Sequence, residues 1–158
     1  LNKLLIRILL HLQVEFSIKP GQGVKYNNYK FNRLELKGIF TSGKFDTRTG
    51  SVETIGDRAT LTRPFYDVPF ESEESFAYIM LPQNLESNKM DIEIYLLLND
   101  SEVKYTTPIT PSTHGQLEGG KKYTYNITVK NTGITIEDAN IYPWENGDSS
   151  DLDADIDL

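Results

Sequence analysis

The sequence predicts an all-β fold, a sandwich of about seven to nine strands, with a partly closed barrel as the alternative. Three observations predict it. Apolar and polar residues alternate in several separate segments, which is the period of a strand with one buried face. Nine tyrosines and seven phenylalanines stand against two methionines, and with frequent threonine this balance favours strands over helices. No window of about 11 residues keeps a helical period, while turn residues recur every 8 to 15 positions or so.

Taken in order, Leu4 to Leu12 is apolar, too short to span a bilayer, interrupted by Arg7, and reads as a buried strand. Leu12, Val14, Phe16 and Ile18 then point one way while His11, Gln13, Glu15 and Ser17 point the other, until Pro20-Gly21-Gln22-Gly23 ends the run. Lys30 to Gly38 is a second strand with Leu34 and Leu36 inward. Two polar turn clusters, Thr41 to Lys44 and Asp46 to Gly50, flank Phe45 and suggest a β-arm or meander. The apolar run at Ala59 to Leu61 leads to Pro64 and Pro69, which confine it to a sheet edge or a connection. Glu71, Glu73 and Glu74 form an acidic loop before Phe76 to Leu81, a short apolar run expected to be a buried strand that Pro82 stops. Met90 to Leu98 carries Ile92, Ile94, Leu96 and Leu98 in register, and Asn99-Asp100-Ser101 turns it back into Val103 and Tyr105. Thr107 to Gly120 reads as a loop. Tyr123, Tyr125, Ile127 and Val129 alternate with Thr124, Asn126 and Thr128, and the turn at Asn131 to Gly133 returns the chain through Ile134 and Ile136. Trp144 is expected to anchor the end of the sandwich, its indole N–H seeking a partner.

The 158 residues fit one domain with a core of its own, expected over residues 1–147 with an acidic tail over 148–158. The chain starts at Leu1, as a mature form or a fragment would. The absence of cysteine excludes disulfides, thiolate metal sites and thiol nucleophiles. A net charge of −7 without a basic stripe argues against nucleic acid as a partner. Only His11 and His114 offer imidazoles, no serine sits in a nucleophile elbow, and no phosphate loop or zinc spacing occurs. The three clustered glutamates do not form the facing pair that glycoside hydrolysis needs. No catalytic residue, cofactor or metal site is therefore assigned. Asn99 and Asn126 match the N-glycosylation pattern but read as ordinary turn and strand residues.

The tail holds an alternation of its own. Asp151, Asp153, Asp155 and Asp157 interleave with Leu152, Ala154, Ile156 and Leu158. A calcium loop would need a glycine at its sixth position and a distal glutamate, and both are missing. In an extended conformation the four aspartates face one side and the four apolar residues the other, as a strand added to a neighbour's sheet edge would require. The same residues would also suit a strand closing their own sheet, or a disordered acidic tail.

Several of these segments, in this order, resemble the fimbrillin family, the type V pilus subunits and fimbrillin-like surface lipoproteins of Bacteroidota, in its C-terminal domain. The resemblance rests on the strand Leu12 to Ile18; on Leu34 to Gly38, Gly43 to Asp46 and Thr49 to Val52; on Ile79-Met80-Leu81-Pro82; and on Gly120 to Tyr123, Tyr125 to Val129, Gly133-Ile134 and Ile141 through Trp144 to Gly147. It implies a transthyretin-like Greek-key sandwich, a non-enzymatic role in pilus assembly and adhesion, and export to the cell surface, fimbrium or outer membrane. Other fimbrial subunits are the implied partners, joined by strand complementation, for which Leu152, Ala154, Ile156 and Leu158 are the residues available here. Host or bacterial surface ligands are further implied partners. A carbohydrate- or host-ligand-binding module of a surface lipoprotein is the second functional reading, since one sandwich serves many sites. The chain has room for about one of the two domains such subunits carry, and it holds neither a lipidated cysteine nor a transmembrane segment.

Overall fold

The computed structural model describes residues 11–85, 90–109, 115–137 and 140–143. Apart from its last two residues, the apolar run Leu4 to Leu12 lies outside them, as do Trp144, the boundary at 147 and the whole tail.

Two separate sheets face each other, so the sandwich holds and the barrel does not. The first sheet has β1 (Leu12–Pro20) at its centre, parallel to β11 (Lys121–Lys130) and antiparallel to β6 (Glu74–Met80). Two short strands share the far edge of β11: β12 (Gly133–Ile136) pairs its second half and β13 (Asn140–Pro143) its first. In the second sheet β2 (Lys30–Ile39) lies between the edge strand β5 (Ala59–Pro69) and β8 (Met90–Leu98), and β9 (Ser101–Ile109) closes the other side. These sheets hold nine strands. Four more lie outside them: a hairpin arm of β3 (Ser42–Asp46) and β4 (Ser51–Ile55), and the two-residue pair β7 (Gln83–Asn84) and β10 (Gln116–Leu117).

The core follows from the alternation. Leu12, Val14, Phe16 and Ile18 of β1 and Tyr123, Tyr125, Ile127 and Val129 of β11 are buried, and they meet Phe31, Leu34 and Leu36 of β2 and Ile92, Ile94 and Leu96 of β8. Each such aliphatic or aromatic side chain contributes about 1.5–3 kcal/mol through burial. An aromatic chain ties the layers: Phe16 stacks on Tyr125 with centroids 5.6 Å apart, Phe76 lies 5.5 Å from Phe16, and Phe65 of β5 reaches Phe76 at 5.8 Å and Phe31 at 4.1 Å.

Three expectations are corrected. Thr41 to Lys44 is a strand for most of its length, because the arm pairs Gly43 with Thr54 and Phe45 with Val52; only Asp46 to Gly50 turns. Phe76 to Leu81 is not buried throughout: β6 is an edge, with Phe76 and Met80 inward and Ala77 and Ile79 outward. Within the stretch Thr107 to Gly120 expected to be a loop, Thr107 to Ile109 belong to β9 and Gln116–Leu117 form β10. After Gly21 the chain makes one helical turn, α1 (Gln22–Lys25), seated by buried Val24. Pro64 and Pro69 stand on an edge strand as expected, where no second ladder needs their missing N–H.

Candidate interaction surface

Each face of the sandwich has a distinct chemistry. On the outer face of the second sheet the alternation of β2 brings up Arg33, Glu35 and Lys37, that of β8 brings up Glu93 and Tyr95, and β9 adds Glu102 and Lys104. Arg33 joins Glu35 at 3.0 Å and Glu102 at 2.7 Å, and its guanidinium lies 3.6 Å from the Tyr95 ring centroid. Lys37 reaches Glu93 at 2.7 Å and Glu35 at 3.5 Å, Lys104 reaches Glu93 at 3.5 Å, and the Tyr95 hydroxyl also donates to Glu93. Burial pushes the Glu93 carboxyl up, but hydrogen bonds from Lys37 and Tyr95, with the charges of Lys37 and Lys104, outweigh it and hold the group below its ordinary value. The charges here satisfy one another, which leaves little for a partner to pair.

The flank between β5 and β6 is different. Both are edge strands, so each has one ladder neighbour among the described residues. Arg63 projects from β5 over the rings of Phe65 and Phe76, at 5.8 and 5.2 Å from their centroids. An inward-facing charge on an edge strand discourages indiscriminate pairing. Behind it Tyr78 and Tyr125 bury hydroxyls with no hydrogen-bond partner among the described residues. Desolvation pushes the Tyr78 phenol up, partly opposed by the Arg63 charge, and burial pushes Tyr125 far up. On the outer side of β6, Ile79 is 57% exposed.

The residues singled out in the sequence are dispersed. Trp144, Leu152, Ala154, Ile156, Leu158 and His114 lie outside the described residues. The His11 carbonyl accepts the Gly120 N–H at 2.9 Å, which starts β1 and β11 together. Glu73 accepts from Ser17 and Ser75, Glu74 lies opposite Ile18 at the start of β6, and Glu71 sits beside the loop between β1 and β2. No group of three or more His, Asp or Glu among the described residues is placed to hold a metal. Asn99 turns the β8–β9 hairpin with φ of 50°, and Asn126 is a strand residue of β11. The place of β6 at a sheet edge among the described residues was missed because its outward residues Ala77 and Ile79 are themselves apolar, so no polar alternation marked them.

Among the described residues the sandwich has one self-satisfied charged face and one flank on which β5 and β6 each have a single ladder neighbour. The family follows from comparison: the model of the fimbrillin-like family matches residues 10–144, and the chain belongs to that family. Among solved structures it resembles a protein of Bacteroides ovatus described as a cell adhesion protein, at 26% identity and a TM-score of 0.61, covering 88% of this chain and 47% of that one. A Bacteroides uniformis protein described in the same terms gives 13% identity and a TM-score of 0.61, over 85% of this chain and 51% of its own. The C-terminally truncated tip fimbrial protein Mfa3 of Porphyromonas gingivalis gives 11% and 0.51, over 84% and 51%. The last two likenesses concern the fold alone. No curated protein matches. The chain spans about half the length of the solved structures it matches.

Proposed function

We propose that the chain is a domain of a non-enzymatic fimbrial subunit at the cell surface or outer membrane, acting in assembly and adhesion, and that its subunits join by strand complementation. The observation that carries this reading is the edge strand β6, seven residues long, bonded to β1 alone among the described residues and presenting Ile79 outward. An added strand would satisfy the free backbone groups of β6, and alternate side chains would give it register. The segment Leu152, Ala154, Ile156 and Leu158 has the alternation a donor strand needs. Membership of the fimbrillin-like family and the likeness to the Bacteroides ovatus protein described as a cell adhesion protein support the role, and other fimbrial subunits are the partners it calls for.

Ile79→Lys tests the acceptor edge in full-length subunits. A lysine on an edge strand is a strong deterrent to pairing, and the side chain is exposed, so the monomer should fold unchanged. Polymer yield measured by sedimentation and electron microscopy should fall at least tenfold or so, which corresponds to about 1.4 kcal/mol per contact. Polymers formed at the normal yield would remove β6 as the acceptor.

A further inference from the structure

The loop between β1 and β2 is tied down more firmly than a surface connection requires. The Gly21 N–H donates to the Val129 carbonyl at 2.8 Å, and the N–H groups of Val24 and Lys25 donate to the Gly21 carbonyl. Asn27 Nδ2 donates to the Gly23 carbonyl at 2.7 Å. A Cβ on Gly23 would come 2.7 Å from Asn131 Oδ1, so α1 lies directly on the β11–β12 turn. Tyr29 is buried, and its carbonyl accepts the Phe70 N–H at 2.9 Å. That bond brings Glu71 beside Asn28, whose φ of 56° turns the chain. Between them opens a cleft of about 310 Å³, lined by Lys25, Tyr26, Asn28 and Glu71.

Tyr26 is 72% exposed on this rigid frame. A single exposed aromatic is ordinary on a protein surface. This one stands in a concavity with three polar groups of complementary capacity: an ammonium that only donates, a carboxylate that only accepts, and an amide that does both. We propose that the cleft binds an uncharged sugar ring of a glycan, with Tyr26 under the apolar face of the ring and Lys25, Asn28 and Glu71 hydrogen-bonding its hydroxyls. Lys25 Nζ lies 5.6 Å from the Tyr26 ring centroid, a contact that steadies the ring. The volume is at the small end of ligand sites, roughly 300–1,000 Å³. A folded protein partner would cover about 800 Å² on each side, far more than four side chains offer. One positive and one negative group leave the cleft near neutral, which disfavours anionic ligands. Because the loop is already ordered, little entropy is lost on binding.

The test displays the full chain to an array of neutral hexose and N-acetylhexosamine oligosaccharides, then titrates the best-retained glycan by amide NMR. Shifts should concentrate at Tyr26 to Asn28 and at Glu71. Tyr26→Ala should weaken binding by about tenfold or more, Tyr26→Phe should stay within about threefold, and Tyr66→Ala, an exposed tyrosine outside the cleft, within about twofold. Retention of no neutral glycan, preference for sialylated or sulfated ones, shifts centred elsewhere, or an unchanged affinity in Tyr26→Ala would each overturn the proposal. The inference deepens the adhesive part of the function and leaves assembly alone: polymer yield reports on β6, glycan affinity on Tyr26.

Discussion

The buried amide of Gln83 takes the place of a strand neighbour beside Phe40. Its Oε1 accepts the Phe40 N–H at 2.9 Å, and its Nε2 donates to the carbonyls of Phe40 and Leu81 at 3.2 and 3.1 Å. Gln83→Leu would leave these groups unpaired, at about 1–3 kcal/mol; the melting temperature should fall by several degrees, at about 2–4 °C per kcal/mol for a chain of this size. Two tyrosines make an opposed pair. The Tyr123 hydroxyl accepts the Glu118 N–H at 2.8 Å and donates to the Gln116 carbonyl at 3.4 Å, whereas that of Tyr125 has no partner among the described residues. Tyr123→Phe should therefore destabilise by about 1 kcal/mol, and Tyr125→Phe should be neutral or stabilising, both read by urea unfolding. Tyr66 is 83% exposed yet held at φ of 57°, a conformation costing a side chain roughly 1–2 kcal/mol. Tyr66→Gly should recover part of that cost as a higher urea midpoint. Glu93 gives a pH signature. Its carboxyl is depressed in the folded state, so its contribution is present above the ordinary carboxylate value and is lost as pH falls through the folded one. Glu93→Gln should flatten the loss of stability on acidification below about pH 4.5, the ordinary value of the group.

At the level of elements, legibility followed burial on one face. β1, β2, β8, β9, β11 and β12 were readable because apolar residues recur at alternate positions in each, and Pro64 with Pro69 marked the edge β5. What depended on backbone pairing alone was not readable. Ser42 to Asp46 has almost no apolar pattern and is a strand only because it pairs with β4. The turn α1 rests on one buried residue, Val24, between glycine-rich neighbours. Nothing local announces that β1 and β11, about a hundred residues apart, run parallel in register from Gln13 with Lys122 to Pro20 with Val129. The arm offers an element-level prediction. Ile39 already pairs with Ala59 at its base, so replacing residues 42–55 by a two-residue Asn-Gly turn should keep the sandwich folded. Circular dichroism and near-native amide NMR spectra elsewhere would verify this, and collapse of the core signals would show that the arm is part of the folding unit.

For the whole molecule, the two flanks of the sandwich differ. On one side β9 and β12 approach each other; on the other, Phe65 and Phe76 meet beneath β5 and β6, each with one ladder neighbour among the described residues. The outer face of the second sheet pairs its own charges, and the more exposed pairs on it, such as Arg33 with Glu102, contribute at most about 1 kcal/mol each. Its value is in removing that face from competition for partners. The family and the fold class were legible from the ordered set of strands, while the place of β6 at the rim emerged only from the strand order. The central claim is that subunits join by donating a strand to that rim. Deleting residues 151–158 from full-length subunits, with polymer yield and melting temperature measured on the same preparations, tests it most directly. Strand complementation predicts that polymers are abolished while the melting temperature stays within about 2 °C, less than 1 kcal/mol of stability. Polymers formed at the normal yield, or a large fall in melting temperature, would contradict it, the latter by assigning the segment to its own sheet.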